Sequence, residues 1–294
     1  MTQDQPARSG FLLGIGAYTL WGLLPLYLRL LVGTPALQVL AHRVIWSLLL
    51  LAAIVLALRK LHPIVAAARG RTLALLAASA MLIAVNWLIY IWSVQHGHVL
   101  EASLGYFINP LVNVALGTIV LGERIGRVQA LAVAVAAAGV LAMAVSGGGA
   151  LWISLALAVS FGLYGLIRKV AAIDALGGLT VETALLLVPA VAVVGLAQAG
   201  GQGAFGRDWH LDMLLVLAGV VTAAPLLMFA AAARRLRYAT LGLLQYIAPT
   251  LQFVEAVLIF REPLRPIHIV TFGLIWSGCA IYAWGGWRQA RSAR

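Results

Sequence analysis

The sequence predicts an all-α membrane protein of ten transmembrane helices, arranged as two inverted five-helix repeats. The 294 residues are 63% hydrophobic and only 10% charged, whereas a soluble domain carries roughly 25% charged residues. The apolar residues fall into ten stretches close to the roughly 20 residues that a membrane-spanning helix needs. The two halves of the chain also resemble each other at an offset of about 140 residues.

The ten predicted spans are separated by short loops rich in glycine, proline and basic residues, which are typical of turns between helices. These loops are too short to hold a soluble domain. The predicted spans are 11–32, 36–58, 72–95, 99–121, 127–146, 150–171, 179–199, 211–233, 238–260 and 266–287.

The internal repeat is clearest between Ala102–Glu123 and Ala239–Glu262. Each segment starts with two small residues and Leu-Gly, and in each an acidic residue follows a proline by thirteen positions. Each half holds five spans, so the second half must enter the membrane from the opposite side, which gives an inverted repeat. We therefore predict a first repeat at 11–146, a second repeat at 150–287, and short tails at 1–10 and 288–294.

Basic residues predict the orientation. Fifteen of the 20 Lys and Arg residues fall on the side that holds both termini, so both termini are predicted to be cytoplasmic. The net charge of +11 is then a topology signal, and nucleic acid is not an expected partner. The single cysteine, Cys279, excludes an internal disulfide and a cysteine metal cluster. His96 and His98 alone make a weak metal site, so no metal or cofactor is expected.

Polar side chains recur on one helical face of three predicted spans, where the lipid makes them costly. They predict a shared substrate cavity, although each amide could instead hold helices together. Pro110 and Pro249 lie within these stripes and free a backbone carbonyl, which makes them candidate hinges or gates. The candidate substrate-binding residues are Asn86, Trp87, Tyr90, Tyr106, Asn109, Asn113, Gln245 and Gln252.

Charged residues inside the spans form a second group of candidates, assigned to gating or coupling. His42 and Arg43 lie in the second span, and a buried Arg is expected to have a carboxylate partner. Glu101 or Glu255 is predicted to provide it, either as a static salt bridge or as a gate. Glu255 is the first choice for a proton-linked carboxylate. Glu123 and Glu262, which close two spans, are expected to pair locally or to cap the next helix, and not to contact substrate.

Several function classes are excluded. The chain has no Walker-type phosphate-binding motif and no His-Glu-x-x-His motif. All four aspartates fall in loops, termini or span edges, so an intramembrane enzyme is not expected. A channel is disfavoured because one chain carries a complete inverted pair. This pair also means that a monomer could suffice, while a homo-oligomer stays open.

Four strings resemble the RarD group in the EamA branch of the drug/metabolite transporter superfamily. They are AHRVIWS (41–47), NWLIYIWSV (86–94), EASLGYFINPLVN (101–113) and LLQYIAPTLQF (243–253). The resemblance implies ten helices in two repeats, a bacterial cytoplasmic membrane and export of a small metabolite or drug-like compound by a secondary transporter with alternating access. An uptake or exchange carrier for amino acids, or a non-transporting membrane binding protein, are the alternatives.

Overall fold

The computed structural model describes residues 4–122, 126–146, 150–233, 235–236, 240 and 244–292, and in these ranges the chain is helical with short connections. The first half contains α1 Asp4–Gly22, α2 Leu24–Arg29, α3 Ala36–Ala57, α4 Leu61–Ala67, α5 Gly70–Gln95, α6 Val99–Leu121 and α7 Arg127–Val145. The second half contains α8 Leu151–Val170, α9 Ala175–Leu185, α10 Leu187–Ala199, α11 Trp209–Ala233, α12 Ile247–Val254 with the π turn Glu255–Ile259, and α13 Pro266–Ser292.

Fewer helices qualify as spans than the sequence predicts. Among the described residues, seven helical segments are long and apolar enough to cross a membrane, or eight if the bent pair α9–α10 is one span. The segments Ile247–Ile259 and Pro266–Tyr282 are apolar but shorter. Part of the predicted ninth span, 238–260, lies outside the described residues. A multi-pass helical membrane protein is confirmed, and the count of ten stays a prediction.

Prolines explain where several helices begin. Pro25 is in the first turn of α2 and Pro35 precedes α3. Pro189 is in the first turn of α10, directly after the break at Leu186 that bends α9 against α10 by 40°. Proline lacks the N–H that a continuing helix would use, but it is tolerated in a first turn, where that group has no partner in the helix.

Contacts between the two halves hold the bundle together. From the first half, α3 packs on α10 and α11 of the second half, while α5 and α6 both pack on α8 of the second half. The remaining main contacts join α1 to α11 and α12, and α7 to α13. The core between these helices contains large apolar side chains such as Leu28, Phe107 and Leu157. Each half therefore buries its apolar faces mostly against the other half.

Helix ends that contact each other are those predicted to lie on the same side of the membrane. Lys60 Nζ lies 3.2 Å from Asp174 Oδ2, and both residues follow spans predicted to end on the cytoplasmic side. At the ends predicted to be external, the Arg29 guanidinium lies 5.5 Å from the Phe260 ring. Gln38 donates to the carbonyl of Gln202 at 3.0 Å. These contacts fit one consistent pair of faces, although the side on which the termini lie stays a prediction.

Glu262 caps a helix of the opposite half. Its two carboxylate oxygens accept hydrogen bonds from the backbone N–H groups of Val99 and Leu100, each at 2.8 Å, at the start of α6. Burial raises the pKa of the Glu262 carboxyl, while these two hydrogen bonds oppose the rise. A carboxylate suits a helix N-terminus, where free N–H groups and the helix dipole favour negative charge. Glu262 therefore caps a helix of the opposite half, and not the next helix in the chain that the sequence predicted. Glu123 lies outside the described residues.

Candidate functional site

Arg43 is buried about two helical turns after the start of α3. It is only 4% exposed. Its Nε donates a hydrogen bond of 2.6 Å to Thr222 Oγ1 in α11, and its guanidinium carbon lies 4.6 Å from the Trp87 ring in α5. Its Nη1 is buried and has no hydrogen-bond partner among the described residues. Arg43 thus joins the two halves of the chain while keeping part of its hydrogen-bonding capacity unused.

The predicted ion pair between Arg43 and a glutamate is wrong. Glu101 instead lies 3.5 Å from His98, three residues earlier in the chain. The carboxylate oxygens of Glu255 are buried and have no hydrogen-bond partner among the described residues. A threonine hydroxyl and an aromatic face therefore stand where a carboxylate was expected, and neither Arg43 nor Glu255 has an ion-pair partner among the described residues.

Three tyrosines surround Arg43. Tyr27, Tyr90 and Tyr106 all lie within electrostatic range of its guanidinium. The Tyr90 and Tyr106 rings pack edge to face with centroids 5.5 Å apart, and Tyr90 OH has no partner among the described residues. Tyr27 OH donates to the carbonyl of Leu214 at 2.8 Å. All three tyrosines therefore lie near the cation, and Tyr90 keeps an unused hydroxyl.

Asn86 acts as a link between helices. Its Nδ2 donates to the Leu157 carbonyl at 3.0 Å and to Ser160 Oγ at 2.9 Å, both in α8. Its Oδ1 accepts from Tyr106 OH at 3.2 Å. These bonds tie α5 to α6 and α8, so Asn86 positions the Tyr106 ring beside Arg43.

Glu255 begins a π turn at the end of α12. The turn, Glu255–Ile259, has its i to i+5 bond between Phe260 N and Glu255 O at 2.8 Å. Glu255 is 3% exposed and within electrostatic range of Tyr90. Single π turns in α-helices occur frequently at functional sites. Glu255 therefore lies in an unusual backbone setting close to the tyrosines of the Arg43 site.

The remaining amide candidates are dispersed. Asn109 is buried, with its Oδ1 unpartnered among the described residues. Gln252 is also buried, and its Nε2 donates to the Trp21 carbonyl at 3.1 Å. Gln245 is half-buried in the turn before α12, and Asn113 is exposed. A cavity lined by all three stripes therefore stays a prediction.

His42, the neighbour of Arg43, points to a different part of the bundle. Its ring stacks on Phe205 with centroids 5.4 Å apart, and Trp46 also contacts Phe205. The loop before α11 therefore covers this end of α3.

The two matched prolines occupy different local positions. Pro110 lies inside α6, whereas Pro249 lies in the first turn of α12. The carbonyl of Pro249 accepts a hydrogen bond from Ser103 Oγ at 2.8 Å, which joins α12 to α6. Of the two, only Pro110 lies inside a helix beyond its first turn, so the two prolines do not share one local geometry. Their role as hinges or gates stays a prediction.

A second buried polar cluster, which we call the Glu182 cluster, was missed by sequence reasoning. Glu182 in α9 accepts hydrogen bonds from Ser79 Oγ at 2.5 Å and Tyr164 OH at 3.3 Å. Its Oε1 lies 3.7 Å from Arg168 Nε. Glu182 falls inside the predicted seventh span. The rule that a charged residue within a span is a functional candidate, which selected Arg43, could therefore have selected Glu182 as well.

The chemistry of the Arg43 site is that of binding. A buried guanidinium, phenol groups and an indole face can hold an anionic or aromatic group. In the described part of the chain, no group of three or more His, Cys, Asp or Glu residues could hold a metal ion. The site therefore offers charge, hydrogen bonds and ring surfaces to a small molecule.

Comparison with known proteins agrees with this description. Residues 8–145 match the model of the EamA-like transporter family. A protein named "Protein RarD" from Streptomyces exfoliatus is 46% identical over 296 residues, which cover 100% of this chain and 94% of the relative. An "Uncharacterized transporter" from Vibrio cholerae is 45% identical over 298 residues, which cover 100% of this chain and 98% of the relative.

The fold also has a solved counterpart. A chain in a crystal structure superposes with a TM-score of 0.60 at 18% identity, and the match covers 94% of this chain and 97% of that one. Together these findings define a multi-pass α-helical membrane protein of the transporter class. The chain belongs to the RarD group of the EamA-like transporter family.

Proposed function

We propose that the protein is a secondary transporter that exports a small metabolite or drug-like compound by alternating access. The observation that carries the proposal is the Arg43 site, in which side chains from both halves meet inside the bundle. Arg43 and Trp87 come from the first half and Thr222 from the second. A site between two halves can open to either membrane face when the halves move against each other.

The helix contacts support two inverted repeats at 11–146 and 150–287. Under this repeat α1 corresponds to α8, α5 to α11, and α6 to α12. The contact of α1 with α11 then matches that of α8 with α5, and the contact of α6 with α8 matches that of α12 with α1. The repeat exchanges α7 with α13, so the contact between these two helices matches itself. Such paired contacts are what a pseudo-two-fold axis in the membrane plane produces.

We assign coupling to Glu255 and substrate contact to the residues around Arg43. Glu255 is the described carboxylate that is both deeply buried and without a hydrogen-bond partner. A carboxylate in this position can take up and release a proton as the site opens to either side. Export is the direction that the RarD resemblance implies, with the termini placed in the cytoplasm by the basic residues.

Transport in proteoliposomes tests this proposal. Vesicles loaded with an unlabelled aromatic amino acid or aromatic drug should accumulate the same labelled compound transiently, because a carrier exchanges substrates across the membrane. Glu255→Gln should keep this exchange but lose its response to an imposed pH gradient, whereas the control Glu262→Gln should keep both. Flux proportional to concentration without exchange would indicate a channel. Folded protein that binds a compound without flux would indicate a binding protein.

A further inference from the structure

We propose that the transported compound carries a carboxylate and that Arg43 binds it. This inference rests on the proposed transport function and names the chemical class of the substrate. The starting observation is the arginine itself, which is 4% exposed and whose Nη1 lacks a partner among the described residues.

The protein satisfies Arg43 only in part. Thr222 Oγ1 accepts from Nε at 2.6 Å, and this hydroxyl donates onward to the Ala218 carbonyl at 2.8 Å. The Trp87 ring covers one face of the guanidinium at 4.6 Å. These contacts hold the guanidinium in a fixed orientation and leave a terminal N–H group for a further acceptor. A guanidinium presents its N–H groups as a planar fork that fits a carboxylate.

The charge of Arg43 has no counter-ion at ion-pair distance among the described residues. The groups within electrostatic range of it are the phenols of Tyr27, Tyr90 and Tyr106. An unpaired charge inside a bundle is costly, and a bound anion can offset part of this cost.

The surroundings of Arg43 favour an anion of single charge with an apolar body. Among the described residues, the other Lys and Arg side chains of the α-helices that contact this site lie at helix ends, such as Arg29 at the end of α2. One guanidinium matches one carboxylate, whereas a phosphate is usually bound by several cations or N–H groups. Trp87, Tyr90 and Tyr106 offer ring surfaces to the apolar part of the ligand. The substrate class is therefore a small aromatic or aliphatic monocarboxylate.

Such a carboxylate can belong to a simple acid or to an amino acid. The two sources differ in the ammonium group, for which Glu255 is the available carboxylate. Three probes that share a benzyl group separate these two sources: phenylacetate, its neutral amide phenylacetamide, and phenylalanine. Benzoate with benzamide and indole-3-acetate with indole-3-acetamide extend the comparison to other ring sizes.

The test measures ligand-induced shifts in the thermal unfolding of the purified protein, with dissociation constants taken from titrations. In wild type, at least one carboxylate of the panel should stabilise the protein while its amide does not. Arg43→Gln should weaken this binding about tenfold to a hundredfold, because it removes a hydrogen bond to a charged group. The matched control Arg71→Gln, at an exposed arginine near the start of α5, should bind as wild type does.

Two further variants keep the test informative if Arg43→Gln does not fold. Arg43→Lys retains the charge without the fork, and Thr222→Val removes the acceptor that orients the guanidinium. Both should bind the carboxylate more weakly than wild type. If phenylalanine binds and phenylacetate does not, the substrate is an amino acid. If phenylacetate binds equally well, it is a simple acid.

Equal stabilisation by each carboxylate and its amide, or unchanged carboxylate binding in all Arg43 and Thr222 variants, would overturn the inference. Its failure is distinct from failure of the transport function. Exchange of a neutral compound that is unaffected in Arg43→Gln would remove the carboxylate assignment and keep the carrier. Arg43-dependent carboxylate binding without flux would keep the site and remove the carrier.

Discussion

Replacement of Glu182 by leucine is expected to lower the free energy of unfolding by about 3 kcal/mol, as for other buried pairs that lose one partner. Glu182 is 1% exposed and accepts hydrogen bonds from Ser79 and Tyr164. Its loss would leave the Arg168 guanidinium, whose side chain is only 16% exposed, without its carboxylate. The measurement is denaturant unfolding of the purified protein in detergent micelles.

A double-mutant cycle separates the ion pair from simple loss of packing. Arg168→Met in the Glu182→Leu background should restore part of the lost stability, because an apolar pair can replace a buried ion pair. The control is Lys60→Ala, which breaks the exposed contact with Asp174 and should cost less than about 1 kcal/mol. Two results would contradict the expected role of the Glu182 cluster. One is a loss of unfolding free energy in Glu182→Leu no larger than in Lys60→Ala, and the other is a double variant no more stable than Glu182→Leu.

Gly219→Ala is expected to destabilise the protein by about 1–3 kcal/mol, in the range of other overpacked sites. A Cβ on Gly219 in α11 would lie 2.6 Å from the carbonyl carbon of Trp46 and 2.7 Å from its oxygen in α3. Both helices would have to move apart, since the obstacle is backbone. Thr222 lies one turn after Gly219, so the change should also weaken ligand binding at Arg43. Unfolding and ligand titration of the same variant measure the two effects.

Gly273→Ala is the matched control, since a Cβ at this glycine in α13 meets no atom within 4 Å. It should be neutral or stabilising by up to about 1 kcal/mol, because alanine favours the helix. Equal behaviour of the two alanine variants would contradict the close approach of α3 and α11.

The helical segments of the bundle could be predicted from apolar length, but the partners of its polar residues could not. The stripe of Asn86, Tyr90 and Ser93 is buried along α5, as its spacing indicates. Spacing does not indicate what a stripe faces, and Asn86 is used in bonds to α8. The stripe of α6 extends to Asn113, which is exposed.

Local sequence was also a poor guide to the partner of Arg43. A carboxylate was expected because charge pairing is the usual way to bury an arginine. The fold instead brings Thr222 from a helix about 180 residues away in the chain, and threonine is common in membrane helices without functional meaning. Pro249 similarly resembles a mid-helix proline in sequence, yet a turn at residues 245–246 makes it a helix-start proline.

The contacts of Arg43 connect the two halves of the chain. Its hydrogen bond to Thr222 links α3 to α11, and its contact with Trp87 links α3 to α5. A bound carboxylate would add a third partner to this link and thereby favour the conformation that encloses it. Substrate binding and the relative position of the halves are then coupled through one side chain.

We expect the interior beside Arg43 to open alternately to the two faces of the membrane. Thiol labelling of a residue near Arg43 measures this access directly. Ser47 lies one helical turn after Arg43, is 1% exposed, and its Oγ has no partner among the described residues. We would introduce Ser47→Cys in a Cys279→Ser background and apply a membrane-impermeant maleimide to either face of oriented vesicles.

If access alternates, the thiol introduced by Ser47→Cys is labelled from both faces, and substrate on one face changes the two labelling rates in opposite directions. Labelling from a single face under all conditions would contradict alternating access and leave a one-sided binding protein.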